Sequence, residues 1–354
     1  MLIASGCSHD TADEESPTSE TTSTTASTTS TTVATTTSTT TTTIAVRPPP
    51  TGPPAPLTMF ATYPEQTERL GRPAMIVKID NAPEAMPQSG LGEADVVFEI
   101  HVEGISRFMA VFHANAPDFI GPIRSARYSD PDLLAMFGRP LFGDSGANTG
   151  VLDEIAQDNW IVHIPDGGST GGSYFRGGSH AAPHNLYTRA GNLYRYQQPS
   201  QPPPAPIFSF LAFGETNPGA QPVAGVSESV GSTRSSWVWD GQRWLRWQFG
   251  QRHSSDSTGQ ISAANVLVLE CQYLNKHGLP TAVSTGSGAL HAFIGGTYVP
   301  GTWTRADRAQ PFSLTSTNGV PIKLNPGVTW IELTNGATSS LLDQQMASAL
   351  LTGA

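Results

Sequence analysis

Three things are scarce in this chain of 354 residues: cysteine, basic residues and long apolar runs. It has only 2 cysteines, Cys7 and Cys271. Once Cys7 is given the role described below, no intrachain disulfide can staple the fold. Cys271 lies in the strand-like run VLVLECQY and reads as a small buried hydrophobe rather than a nucleophile. The 19 Lys and Arg are outnumbered by 29 Asp and Glu, for a formal charge of −10. That balance excludes a protein that grips nucleic acid or an anionic lipid surface through its overall field. Any anion it recognises is held locally by a few residues. No stretch near the start is long enough to span a bilayer.

What is plentiful first is threonine, serine and proline. Ala4-Ser5-Gly6-Cys7 resembles the lipobox of bacterial lipoproteins, in which cleavage before the cysteine leaves it to be acylated, so residues 1–7 read as a shortened signal with Cys7 as the lipid attachment point. Most of the basic and apolar signal region is missing, as a start codon recorded too far downstream would produce. Residues 8–57 begin mildly acidic (Asp10, Asp13, Glu14, Glu15), become almost pure Thr and Ser, and end in RPPPTGPPAP. Such a segment cannot offset its ordering entropy and is expected to be a disordered tether, stiffened at its proline end. Thr and Pro together also permit O-glycosylation.

The remainder has room for two ordinary domains. A second proline-rich stretch, QQPSQPPPAP at 197–206, reads as the linker between a domain at 58–196 and another at 207–354. The expected class is α+β: an N-terminal mixed α/β domain with a β-hairpin and helices, then a mainly antiparallel β domain. In the later half, SSWVWDGQRWLRWQF places two alternating runs about Asp240-Gly241, a strong hairpin signal. Leu342, Met346 and Ala349 recur at helical spacing near the end. In the earlier half, ADVVFEIHVEGISRFMAVFHA predicts a hairpin with a three-residue turn at Gly104-Ile105-Ser106. That register pairs Glu103 with Arg107 and Phe98 with Phe112. It gives one wholly apolar face and one polar face carrying Glu99, His101, Glu103, Arg107 and His113. After it, Asp130 and Pro131 open one helix and NTGVLDEIAQ forms another.

The segment GPIRSAR carries Arg124 and Arg127 three residues apart. If extended, they point to opposite faces; if the chain turns toward the coming helix, they converge into a fork pair suited to a carboxylate or phosphate. The bland reading pairs each with a carboxylate of the same region, Glu99 and Glu103 being the candidates. Glu99 and Glu103 do not form a glycosidase pair, because four residues along a strand separate them by about 13 Å, beyond the roughly 5 to 9.5 Å that chemistry needs. GDSG at 143–146 spells a serine-protease segment but lacks the accompanying His segment before it. His180 and His184 have helical metal spacing, but Pro183 interrupts a helix and no third ligand is evident, so no metal and no cofactor are expected.

Five runs in order, KIDNAPEAMPQSGL, EADVVFE, EGISRFMAVF, GPIRSAR and APHNLYT, resemble the YerB-like family of bacterial lipoproteins, which carry domain of unknown function 3048. HSSDSTGQISAANVLVL and GTYVPGTW with GVPIKLNPGVTWIEL resemble that family's C-terminal companion domain. The resemblance implies an extracytoplasmic, lipid-anchored location in bacteria and a two-domain body; it carries over no catalytic or binding residues. The leading expectation is a non-catalytic module that binds an anionic envelope ligand or an acidic partner segment, its partner being an envelope protein or wall polymer and not nucleic acid. Asp80, Asn81, Glu99, Glu103, Arg107, Arg124, Arg127, His184 and Asn185 are expected to line one polar cleft. A second reading is an enzyme on peptidoglycan or another wall polymer with Glu99, Glu103 or Asp80 as general base. A third puts function on the β domain, through an aromatic surface of Trp237, Trp239, Trp244 and Trp247.

Overall fold

Alternate side chains of the run Met75–Ile79 (β1) reach opposite faces of a sheet, and all five are buried. That double burial recurs through the computed structural model of the protein, which describes residues 47–353. The proposed lipidation site Cys7 and most of the Thr-rich tether lie outside the described residues. The tether's proline end is a correction: a compact unit begins at Pro49, and Ala55 and Leu57 are buried within it.

Beside β1 run Val96–His101 (β2), Ser106–Phe112 (β3), Leu141–Asp144 (β4) and Val162–Pro165 (β5). Two short strands, Tyr174–Arg176 (β6) and Leu186–Thr188 (β7), form a separate ribbon. The later half supplies Gly225–Val230 (β8), Thr233–Trp239 (β9), Trp244–Gln248 (β10), Asn265–Glu270 (β11), Tyr273–Lys276 (β12), Leu279–Ala282 (β13), Gly286–Ile294 (β14), Thr297–Arg305 (β15), Ser313–Ser316 (β16), Thr329–Thr334 (β17) and Ser340–Leu342 (β18). The class is α+β, with few helices and a later half rich in antiparallel strands.

The two sequence halves share one sheet. Its 11 strands include the order β16-β15-β14-β11-β17-β2-β3-β1-β4-β5. The seam between halves is β2 against β17, parallel, with Glu99 level with Glu332. The two main apolar clusters draw on both halves, and a small third one, Val238, Trp247, Leu342 and Ala347, lies within the later half. One apolar cluster joins Phe98, Met109 and Phe142 to Leu267 and Ile331, and another joins Val97, Phe108 and Leu141 to Val266 and Trp330. The proline-rich stretch at 197–206 is pinned rather than free: the Gln201 side-chain amide donates to the Arg139 carbonyl at 2.7 Å.

A 6-stranded sheet built on β10-β9-β8-β18 covers one face of the large sheet through Val226, Trp237 and Trp244. The helices cover the other through Leu133, Leu134, Val151 and Ile155. The helix expected in NTGVLDEIAQ forms over Thr149–Gln157, capped by Asn148, which accepts from the Val151 amide at 3.0 Å; the cap of the helix Asp130–Leu134 is Ser129, one residue before the expected Asp130. The hairpin about Asp240-Gly241 forms, with Trp239 opposite Trp244. Trp237, Trp244 and Trp247 are buried, so the aromatic surface expected there does not exist.

The β2–β3 register differs from expectation. Phe98 faces Met109, Glu99 faces Phe108 and His101 faces Ser106. The turn spans four residues, Val102 to Ile105, closed by the Val102 amide on the Ile105 carbonyl at 2.8 Å. Relative to the predicted pairing this is an odd shift, which exchanges the faces of one strand. Val96, Phe98 and Ile100 therefore share a face with Arg107, Met109 and Val111, while Glu99 lies with Val97, Phe108 and Phe112. Both faces are core, so apolar alternation carried no information about phase.

Candidate functional site

GPIRSAR becomes an extended strip laid between the carboxyl ends of parallel strands β1 and β4. The Arg124 amide donates to the Lys78 carbonyl at 2.9 Å, and the Arg124 and Gly146 carbonyls accept from Ser145 and Ala126 at 3.1 and 3.0 Å. Gly121 lets the strip enter: at φ +151° it passes so close to β7 that a Cβ would sit 2.8 Å from the Leu186 carbonyl oxygen. The carboxyl ends of parallel strands are where open α/β sheets place ligands.

Here the charged side chains gather. The Ser125 carbonyl accepts from Arg107 Nη1 at 3.0 Å and from Arg127 Nη1 at 3.4 Å. Arg127 also grips Glu103, with Nη2 to Oε1 at 2.6 Å and Nε to Oε2 at 3.0 Å. Arg124 Nε lies 3.2 Å from Asp80 Oδ2, which is itself 2.7 Å from His184 Nδ1. Beneath them Lys78 Nζ donates to Asp130 Oδ1 at 2.6 Å, both groups fully buried. Burial first, then the charges of Arg127 and Arg124, push the Arg107 guanidinium down to about 10, against the pull of Glu103 and Asp80. Arg107 is only 7% exposed, and its Nε has no partner. Four cations thus stand against three carboxylates, and neither Arg107 Nε nor Arg124 Nε has a hydrogen-bond partner.

Six of the nine expected residues meet here: Asp80, Glu103, Arg107, Arg124, Arg127 and His184. The other three do not. Asn185 turns to Arg176, accepting from Nη1 at 2.8 Å. Glu99 and Asn81 belong to a network on the opposite face of the sheet. Glu99 accepts from Arg246 Nη2 at 2.7 Å, Ser106 Oγ at 2.6 Å and Trp330 Nε1 at 3.3 Å. Asn81 donates to Ser106 at 2.7 Å and accepts from Gln248 at 2.6 Å. Arg246 continues to His253 Nδ1 at 2.6 Å, and His253 to Gln88 at 2.8 Å. Burial, with the Arg246 charge, pushes His253 well below its ordinary value, and the Arg246 guanidinium lies 4.9 Å from the Trp330 ring centroid. The predicted Glu103–Arg107 ion pair is replaced by Glu103–Arg127, because the four-residue turn carries Glu103 past the end of β2.

The carboxylates considered as general bases are engaged: Glu99 by Arg246, Asp80 by Arg124 and His184, Glu103 by Arg127. Burial pushes Glu103 up, but the Arg127 hydrogen bond and the charges of Arg127 and Arg107 outweigh it and hold the carboxyl below its ordinary value. A general base working near neutrality needs the opposite shift.

Sequence reasoning missed Lys78, Asp130 and a neighbouring pair, Asp144 and His163, whose Oδ2 and Nε2 are 2.6 Å apart at the end of β4. Burial pushes Asp144 up in spite of that hydrogen bond. GDSG did hold a signal: Ser145 Oγ lies 3.2 Å from Ser125 Oγ, which ties that segment to the arginine strip. Lys78 was legible too, as the one charge inside an apolar strand.

Residues 61–202 match the family described as Protein of unknown function (DUF3048), N-terminal domain, and residues 226–331 match the corresponding C-terminal domain. The "Putative lipoprotein YerB" of Bacillus subtilis strain 168 is 38% identical over 136 residues, which cover 38% of this chain and 39% of that protein's length. The crystal structure of YerB protein from Bacillus subtilis has the same fold, with a TM-score of 0.70 at 23% identity, over 82% of this chain and 99% of that one.

Proposed function

The chain belongs to the DUF3048 family, and from that premise we propose that it is a lipid-anchored protein of the bacterial envelope whose Arg107, Arg124 and Arg127 bind an anionic group, a carboxylate or phosphate, of a wall polymer or an acidic segment of an envelope protein. The lipobox-like Cys7 and the naming of a relative as a lipoprotein support the location. One observation carries the binding role: Arg107, Arg124 and Arg127 gather where four cations face three carboxylates, at the edge of the half-exposed Glu103. An incoming anion would relieve the repulsion among the three guanidinium groups. Planar forks favour oxyanions that accept two bonds at once.

The test is crosslinking in intact cells that express the full chain, beside an Arg124→Ala/Arg127→Ala double variant with an unchanged melting temperature. The wild type captures a partner that the variant loses; an acidic protein and a phosphate-bearing polymer separate on mass and phosphorus content. A partner list identical in the folded variant overturns the assignment.

A further inference from the structure

The arginine cluster occupies the carboxyl ends of β1 and β4. The other end of the large sheet, where β2, β11 and β17 begin and β3 finishes, lies roughly 20 Å away, the length of the six-residue β2. The chain enters its compact unit at that other end. Pro49 opens the unit, and residues 52–62 fold back on themselves, the Gly52 amide donating to the Thr62 carbonyl at 2.9 Å and the Ala55 amide to the Phe60 carbonyl at 2.8 Å. The following turns are fastened to the loop after β3, by Gln66 Nε2 on Asn115 Oδ1 at 2.8 Å and by Arg69 Nη1 on the Ala114 carbonyl at 3.3 Å. The Thr58 carbonyl accepts from the Gly327 amide at 2.7 Å, two residues before β17.

This end presents large apolar side chains to solvent. Met59 is 48% exposed, Phe60 53% and Phe213 fully. A single exposed apolar residue is ordinary; three beside the entry of the chain are not. Met59 stands at φ +58°, a conformation that bulky side chains seldom adopt. The strip 324–327 ties the three together. The Phe60 ring rests on Gly327, where a Cβ would come 3.1 Å from the ring Cζ. On the strip's other flank the Leu211 amide donates to the Leu324 carbonyl at 2.8 Å, and the Leu324 amide to the Ser209 carbonyl at 2.9 Å, which brings Phe213 alongside. Asn265, the first residue of β11, fixes the middle: Oδ1 accepts from the Asn325 amide at 2.8 Å and Nδ2 donates to the Asn325 carbonyl at 2.9 Å. The nearby cations Arg243 and Lys323 are each paired with an acidic neighbour, Asp240 and Glu215, so apolar contact is what this end offers.

We propose that this end is a membrane-facing surface: Met59, Phe60 and Phe213 seat in the headgroup region of the bilayer that holds the lipid on Cys7, and the arginine cluster is thereby turned away from the membrane. The inference rests on the reading of Cys7 as the anchor. The occupant follows from where the chain goes, because the segment that leads back to Cys7 leaves the compact unit at this end. A tether keeps the body at high local concentration over the bilayer, so a weak contact of a few side chains suffices to orient it.

The experiment is cosedimentation of the full chain carrying Cys7→Ala, which cannot be acylated, with phosphatidylcholine vesicles, whose zwitterionic surface isolates apolar contact. Half of the protein is expected to bind at roughly millimolar lipid, about tenfold more weakly than a single acyl chain holds. Phe213→Ser and Phe60→Ser each lower the partition coefficient by about three- to tenfold. Phe213 is fully exposed, so its replacement does not act through folding. Leu274→Ser removes an equally exposed apolar side chain from the opposite end, next to Tyr273, whose hydroxyl accepts from the His101 amide; it leaves the partition unchanged, as does Arg124→Ala/Arg127→Ala. No binding of the parent chain, a fall in Leu274→Ser as large as in Phe213→Ser, or loss of binding with the two arginines overturns the proposal. The mass of the N-terminal peptide recovered from cell membranes reads the anchor separately, so a failure of that reading is distinguishable from a failure of this contact.

Discussion

Two charged clusters lie back to back across β2 and β3, and they differ in charge balance and in exposure. Arg107 and Glu99 are carried by paired strands, with Arg107 opposite Ile100 and Glu99 opposite Phe108; one step of the pleat sends them to opposite faces. On the inner face Glu99 and Arg246 are both fully buried, and the carboxylate has four donors around it. On the outer face the cations outnumber the carboxylates and Glu103 is 44% exposed; an unpartnered guanidinium Nε does not separate the two, since Arg107 and Arg246 each have one. Fully enclosed pairing marks a framework; a cation excess that reaches the surface marks a place where something binds. Buried charge alone does not distinguish the two.

The comparison breaks most visibly at Arg246. Arg246→Met leaves the Glu99 carboxylate buried without its counter-ion and is expected to cost about 3–5 kcal/mol, read by urea unfolding. Glu99→Gln combined with Arg246→Met removes both charges and recovers most of that loss. If the double variant is as unstable as the single one, the ion pair is not what the network is built on.

A second, smaller effect is in pH. Burial and the charge of Glu332 push Glu228 up to about 8; burial and the charge of Glu99 push Glu332 up to about 7. Each has one carboxylate oxygen without a partner. The folded chain thus keeps protons that the unfolded chain releases near the ordinary 4.5. The stability they confer is complete below that value and is lost as pH rises through about 7 and 8. Melting temperature is expected to fall between pH 5 and pH 9, and Glu228→Gln to flatten much of that fall. An identical slope in the variant would remove Glu228 as its source.

The outer cluster is expected to respond least in stability. Arg127→Ala breaks a pair whose carboxylate partner is half in water, so unfolding should shift by about 1 kcal/mol or less. A larger loss would place Arg127 with the framework residues rather than the binding ones.

The same contrast explains what could be read from the residues. The Asp240-Gly241 hairpin, the helix in NTGVLDEIAQ and the α+β class rest on chemistry within a few positions, and were legible. The β2–β3 phase was not. VVFEI and RFMAVF are apolar on both faces because a second sheet covers the side that would otherwise be polar, and that sheet arrives from residues 225 onward. Arg246, the partner that draws Glu99 inward, is 147 positions away. Arg124 meets Asp80 because the strip GPIRSAR hydrogen-bonds to the end of β1 at Lys78, two residues before Asp80. Asn81 was misplaced because it immediately follows Asp80 yet its side chain joins the inner network.

The most direct measurement is of the arginine Nε–H signals by ¹⁵N NMR during titration of the full chain with inorganic phosphate. The signals of Arg107, Arg124 and Arg127 are expected to move together with one saturation curve, while that of Arg246 stays in place. Motionless signals at the three outer arginines, or an Arg246 signal that moves with them, would contradict the division between a binding cluster and a framework cluster.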